Sequence, residues 1–559
     1  MADKFVIGVD FGTESGRTVL VKVGDGEEVA SHVHRYADGV IDEALPGGKR
    51  LPPDWALQNP ADYIETLKQG IPSVLRQARV SADDVIGLAT DFTACTMLPI
   101  DAQGNPLCFS EEFRDEPHAW VKLWKHHAAQ PEADRINEVA RQRNEPFLQR
   151  YGGKISSEWF FPKALQIIDE APHIYNAAHK LIEAADWIVL FLTGEEKRNS
   201  CTAGYKAIWG KRFGYPSPDY FGAVHPRMRN IVAEKMSEDI YPQGARAGGL
   251  TARAAELTGL REGTAVAVGN VDAHVSVPAT TVVEPWRLVM IMGTSTCDMV
   301  CGTELHTVEG MCGVVEDGIL PGLYGYEAGQ SCVGDHFAWF VENAVPPAYA
   351  AEASARGLNL HQYLEEKAAR LQPGESGLIA LDWWNGNRSV LVDVDLTGML
   401  LGATLATKPE EIYRALIEAT AFGARMIVDA FEASGVRIDD IVTCGGLPNR
   451  NRLLMQIYAD VLGRELKIAA SEQAAALGSA MHGAVAAGSQ AGGYDTIQQA
   501  AARMARLSET RYGPNPAAKA VYDRLYAEYR TLHDYFGRGA NDVMKRLKAL
   551  RSEVLASGS

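Results

Sequence analysis

Cysteine is scarce in this chain. There are eight in 559 residues, with no C-x-x-C pair. That density is too low for a disulfide framework. Cys297 and Cys301, the nearest pair, flank a strand-like run instead of a metal loop. Long apolar stretches are missing as well: the run at 187–192 falls far short of the roughly 20 residues of a membrane helix. Positive charge is not in excess, with 54 Lys and Arg against 71 Asp and Glu and a formal net charge of −17. This argues against nucleic acid or an anionic membrane as the main partner. Familiar signatures are absent too. No G-x-x-x-x-G-K-[ST] means no P-loop, and no G-x-G-x-x-G follows the first strand-like run, which argues against a dinucleotide site. H-E-x-x-H and G-x-S-x-G do not occur either. The first four residues lead straight into an apolar run, without the basic segment and apolar core of a secretory leader. The expectation is a cytoplasmic protein with reduced thiols.

What is present is ordinary globular composition, 46% hydrophobic and 22% charged, in a chain long enough for two or more domains. Strand-like and helix-like segments alternate in both halves, which predicts α/β domains. A third strand is predicted to end within ATDFTACTMLPID (89–101), and residues 112–185 read as mostly helical. Residues 196–250, rich in Gly, Pro and aromatics, read as inserted loops, where a specific substrate is often recognised. In the second half, 409–431 has helical spacing of Ile412, Leu416 and Ala419, and 441–463 reads strand, Gly-Gly turn, helix. The segment 472–488 reads as a helix of small residues suited to close backbone packing. Near the end, Tyr522, Tyr526, Tyr529 and their neighbours form an aromatic stripe, expected to dock on the second half.

One short design occurs twice. VIGVDFGTESGRTVLV (6–21) and LVMIMGTSTCDMV (288–300) each give an apolar run, a Gly-Thr turn with a nearby Ser, and a second run. In the first, Gly12 lets the backbone approach a phosphate, Thr13 adds a hydroxyl and Arg17 a cation. Asp10 can hold a hydrated Mg²⁺, which needs only one or two carboxylates. Gly293 and Thr294 repeat the turn without the acidic start. Asp272, just past a strand end, reads either as a general base for an attacking hydroxyl or as a helix N-cap. Gly445 and Gly446 form either a flat surface for an adenine or a tight strand–helix connection, and Asn449 either caps that helix or touches a nucleotide.

DFGTESGR, GNVDAH, MGTSTCD, CGGLPNRN and AAALGSA, in this order and at these separations, resemble the FGGY carbohydrate kinases over about residues 4–535. The resemblance implies two RNase H-like α/β domains of the sugar kinase, actin and Hsp70 ATPase type around a cleft. Their bounds would be a sugar-binding domain at 1–282, an ATP-binding domain at 283–535 and a helical tail at 536–559. It implies Asp272 as catalytic base, and Ala94, Thr96, Lys206 and Glu327 around the sugar. Gly12, Thr13, Arg17, Gly293, Thr294, Gly445, Gly446 and Asn449 would contact ATP, with Asp10 at Mg²⁺. GGKISSEWFFPKAL (152–165), CTAGYKAIWG (201–210) and GYEAGQS (325–331) are similar to members that phosphorylate L-ribulose in L-arabinose catabolism. Another ketopentose or polyol is the alternative acceptor, and a chaperone-like or filament-forming ATPase the alternative class. A homodimer is common in the family. Many members carry a W-x-D-x-R-like segment near the sugar. Here 124–127 reads Trp-Lys-His-His, so His126 receives no contact.

Overall fold

The computed structural model describes residues 3–557. The first sheet contains β1 (Phe5–Phe11), β2 (Ser15–Lys22), β3 (Glu28–Arg35), β4 (Val85–Phe92), β5 (Arg246–Gly249) and β6 (Ala265–Ala267), in the spatial order β5-β6-β4-β1-β2-β3. The second contains β7 (Arg287–Met292), β8 (Thr296–Gly302), β9 (Gly313–Glu316), β10 (Tyr324–Gln330), β11 (Asp440–Cys444), β12 (Leu466–Ala469) and β13 (Leu507–Tyr512), ordered β9-β10-β8-β7-β11-β12-β13. Both follow one plan. An antiparallel hairpin, β1–β2 or β7–β8, is extended on one side by an antiparallel strand. On its other side lie two parallel strands, β4 and β6 or β11 and β12. The duplicated sequence pattern is therefore a duplicated sheet. The first strands are buried on both faces, as near-continuous apolar runs such as VIGV and LVMIM require.

The helices that matter for the site are α1 (Phe160–Glu170), α2 (Ser200–Lys206), α3 (Asp272–Ala279), α4 (Pro409–Ala433), α5 (Gly446–Arg450), α6 (Arg452–Leu462), α7 (Ala474–Ala487) and α8 (Pro516–Gly537). The predicted strand in 89–101 is in fact two. β4 stops at Phe92, the chain bends through Cys95 at φ 59°, and Met97–Ile100 joins a separate four-stranded sheet. The stretch expected as loops, 196–250, carries α2 and two further short helices, Pro218–Val224 and Ile231–Lys235. Helices this short leave too few turns for a periodic signal. The aromatic stripe of α8 docks as expected. Tyr522, Tyr526 and Tyr529 are buried in the second-half core, where the Tyr522 hydroxyl donates to Glu418 Oε1 at 3.0 Å.

Helix α7 lies in sequence between β12 and β13 of the second sheet but packs on β1, β4 and α3 of the first half. Its alanines and glycines make this possible. A Cβ on Gly8 would lie 1.8 Å from the Ala476 carbonyl oxygen, one on Gly87 2.2 Å from that of Gly483, and one on Gly478 1.9 Å from that of Val275. Backbone meets backbone at all three, so no side chain can move aside. Gly478→Ala is expected to destabilise by about 3 kcal/mol or more, through overpacking against an immovable main chain. Thermal melts of the purified variant, or its loss from the soluble fraction, would show this.

Candidate functional site

The two Gly-Thr turns close their hairpins alike but not identically. Gly12 N–H donates to Ser15 O at 3.0 Å, and Gly293 N–H to Ser295 O at 2.9 Å. The last register pairs are Phe11 with Gly16 and Met292 with Thr296, so the second turn is one residue shorter. The first is braced from its own half: Gln58 donates to Thr13 O at 2.7 Å, and the Trp124 indole to Thr13 Oγ1 at 3.1 Å. The second is braced by the segment after β10, where Val333 N–H donates to Thr294 O and Gly334 N–H to Gly293 O. Thr294 itself is exposed. Gly445 belongs beside this turn. It sits at φ 98°, and a Cβ there would lie 2.4 Å from Met292 O. Gly446 has open space where its Cβ would be, and Asn449 is exposed. The capping role considered for Asn449 belongs instead to Asn451, whose side chain accepts from Leu454 N–H at 2.8 Å and starts α6.

Three carboxylates gather where the first-half strands end. Asp10 on β1 is the register partner of Asp91 on β4, which also pairs with Asn270, two residues before Asp272. Asp272 is the first residue of α3, and its Oδ1 accepts from Ala273 N–H at 2.6 Å. Burial, then the charge of Asp10, pushes Asp272 up to about 7. Burial, then the charge of Asp10, pushes Asp91 well above the usual carboxylate range, and Ser479 on α7 donates to it at 2.5 Å. Burial raises Asp10 as well, against the opposing pull of Arg17. Of the three, Asp10 feels the Arg17 cation and Asp272 that of Lys206, and Asp91 Oδ1 is buried without a hydrogen-bond partner. This donor set suits a hydrated divalent cation at Asp10, although no cluster of three His, Cys, Asp or Glu side chains with metal-ligand geometry exists among the described residues.

The residues expected around a sugar fall into two groups. Ala94 and Thr96 lie on the bend around Cys95, where Thr93 Oγ1 and Thr96 Oγ1 are 2.9 Å apart. Lys206 and Glu327 are both buried. Lys206 ends α2 in the first half, and its Nζ donates to Glu327 Oε1 and Oε2 on β10 of the second at 3.2 and 3.0 Å. His274 Nε2 lies 3.4 Å from Glu327 Oε2, with its ring 4.4 Å from that of Tyr205. Burial alone would raise the Glu327 carboxyl. Lys206, His274 and Arg388 outweigh it and hold Glu327 well below the usual carboxylate range.

Arg388 is a residue that sequence reasoning missed. Its Nη2 pairs with Glu327 Oε1, Nε reaches Cys312 Sγ at 3.1 Å and Nη1 reaches Cys297 Sγ at 3.5 Å. A lone arginine in WWNGNRS carries no local signal, and only the fold brings it to Glu327. Asp91 was also missed; it precedes the last residue of β4 in ATDF as Asp10 does that of β1 in GVDF, and the parallel register sets the two level. His126 proves to be a packing residue: it is buried, it accepts from Ala56 N–H at 3.2 Å, and it meets Gln166 Oε1 at 2.9 Å.

Beside Cys297, Asp298 points into the second-half core with both carboxylate oxygens unpartnered. Burial raises it to about 7, with Arg388 pulling the other way. A folded-state value above the unfolded one makes the contribution to stability fall as pH rises from about 4 through about 7. Asp298→Asn should therefore raise Tm at pH 8, and the gain should shrink as the pH is lowered to 5, at about 1.4 kcal/mol per pKa unit. Melting curves of wild type and variant across that range test the sign.

Family models for the FGGY carbohydrate kinases match this chain twice, the N-terminal domain over residues 5–277 and the C-terminal domain over 288–487. Among curated relatives, a ribulokinase of Halalkalibacterium halodurans is 60% identical over 553 residues, covering 99% of this chain and 98% of the relative. A ribulokinase of Mycolicibacterium smegmatis is 54% identical, over 99% and 97%. Among solved structures, a xylulose kinase from Rhodospirillum rubrum superposes with a TM-score of 0.77 at 23% identity, covering 95% of this chain and 98% of that one. A ligand-bound xylulose kinase from Lactobacillus acidophilus gives 0.78 at 16% identity, over 96% and 99%. At those identities the superpositions establish the fold.

Proposed function

The chain belongs to the FGGY family of carbohydrate kinases, and from that premise we propose that it transfers the terminal phosphoryl group of ATP to L-ribulose, giving L-ribulose 5-phosphate. The observation that carries the choice of sugar is the similarity to ribulokinases at 54–60% identity over nearly the whole of both chains. The site supports it. Glu327, kept ionised by Lys206 and Arg388, is a strong acceptor for sugar hydroxyls, while Lys206 donates. Ala94 is small enough to leave room, and Thr96 shapes the bend beside it.

In this reading Asp272 orients the terminal hydroxyl and takes its proton as the oxygen attacks. Such transfer depends mainly on positioning and electrostatics. Amides and hydroxyls of the two turns, at Gly12, Thr13, Gly293 and Thr294, and the Arg17 guanidinium hold the phosphates. Gly445, Gly446 and Asn449 receive the adenosine on the second half. Mg²⁺, held through water at Asp10, would neutralise phosphate charge. The eight free thiols suit a cytoplasmic enzyme of sugar metabolism.

The test is ADP release with ATP and, in turn, L-ribulose, D-ribulose, D-xylulose and glycerol. L-Ribulose should give the highest kcat/KM. Preference for another acceptor would keep the kinase and change its sugar. ADP release that is unchanged by every sugar would sink the reading.

A further inference from the structure

Helix α1 carries a lysine that touches no carboxylate. Lys163 is fully buried, and its Nζ donates to the backbone oxygens of Cys95 at 2.7 Å and Leu123 at 2.8 Å, with that of Lys122 at 3.5 Å. A buried ammonium is costly unless its protons are all bound. Here carbonyls from two separate segments bind them. Both segments lead to the proposed site. Cys95 stands between Ala94 and Thr96, in the left-handed region that a cysteine adopts only under constraint. Leu123 precedes Trp124, whose indole donates to Thr13 in the first Gly-Thr turn. The bend is held from its other side by Ala184 N–H, which donates to Thr96 O at 2.7 Å. Burial lowers the Lys163 ammonium to about 8, with Cys95, Glu183 and Glu158 acting the other way.

We propose that Lys163 is a positioning residue: its single ammonium ties the Ala94–Cys95–Thr96 bend to the Leu123–Trp124 segment and so fixes the wall of the sugar site relative to the first phosphate turn. The amine touches neither substrate. It acts by fixing where two backbone segments lie, and positioning at this scale is where small displacements are expensive. Its neighbour Lys122 does a different job, donating to Gln166 Oε1 at 3.0 Å with its ammonium 4.2 Å from the Trp55 ring centre. That contact stays inside the core and reaches no proposed site residue.

The proposal rests on the sugar-site reading above, so wild-type turnover of the ketopentose is established first, and the variants are then compared on the sugar that wild type uses. An inactive wild type and an unaffected variant are thus separate results. Lys163→Met keeps the stem and removes the donors. It should raise the sugar KM about 10-fold or more while the ATP KM rises no more than about 3-fold, since the adenosine side is untouched. Lys163→Arg, which keeps donors at shifted positions, should fall between. If Lys163→Met does not fold, Lys163→Arg alone carries the test, with an expected rise in sugar KM of about 3-fold or more. A sugar KM equal to wild type in the folded variant overturns the proposal. Equal losses for sugar and ATP overturn it too, because they would mark a general weakening of the fold.

Discussion

Asp272→Asn is expected to lower turnover about 100-fold or more while ATP still binds. The asparagine preserves shape and can still accept from Ala273 N–H, but it cannot take a proton. In the proposed role the same residue should set the pH profile. With its carboxyl pushed up to about 7, the ionised base is the minor form below that pH and the major form above it. Wild-type kcat should therefore climb through pH 6 to 7.5 and level off, as for a base poised near its working pH. The residual activity of the variant should lack that limb. Calorimetric ATP titration together with the two pH profiles decides the matter, and near wild-type turnover in the variant would remove Asp272 from the role of base.

Glu327→Gln should have the second largest effect, and on two observables at once. Among the described residues, Glu327 is the one carboxylate facing Lys206, His274 and Arg388 together. Without its charge, Lys206 loses its ion-pair partner inside the protein. Removing one partner of a buried pair costs about 3–5 kcal/mol. Arg388 is partly open to solvent and adds less. The sugar KM should rise about 100-fold as an ionised acceptor becomes a weak neutral one. Adding Lys206→Met to the variant should recover part of the stability but none of the sugar affinity, because the stranded cation is gone and the pocket is still unmade. Melting curves and steady-state kinetics on the two variants separate these effects. A double variant no more stable than Glu327→Gln would show that the stranded Lys206 ammonium is not the source of the lost stability.

The sheets and the paired turns were legible in the chain because they rest on local rules. Apolar runs flank Gly-Thr-x-Ser or Gly-Thr-Ser, and strands alternate with helices. Helix α7 could be read from its small residues, though not which half it would pack on. Lys206 and Glu327 show the limit of composition: as loop charges they look solvated, and only the pairing of α2 with β10 makes them a buried bridge. Arg388 and Lys163 were beyond reach, because each acts through contacts with segments remote in sequence. The break at Cys95 was also hidden. The run Phe-Thr-Ala-Cys-Thr-Met carries no turn signal, and the groups that hold its bend, Lys163 Nζ on the Cys95 carbonyl and Ala184 N–H on that of Thr96, come from remote segments.

Helix α7 has a consequence for how the protein is made. The first sheet has β1, β2 and β4 in hand once residue 92 has left the ribosome, yet the face on which α7 belongs stays bare. Ser479 and Asp91, which meet across that face, are 388 residues apart. At about 5–20 residues per second, the wait is roughly 20–80 s. During it, Gly8 and Gly87 present an unfilled groove of main chain, and Asp91 lacks its serine. The first sheet thus cannot be covered on this face before residue 487 is made, which ties its completion to nearly the whole chain.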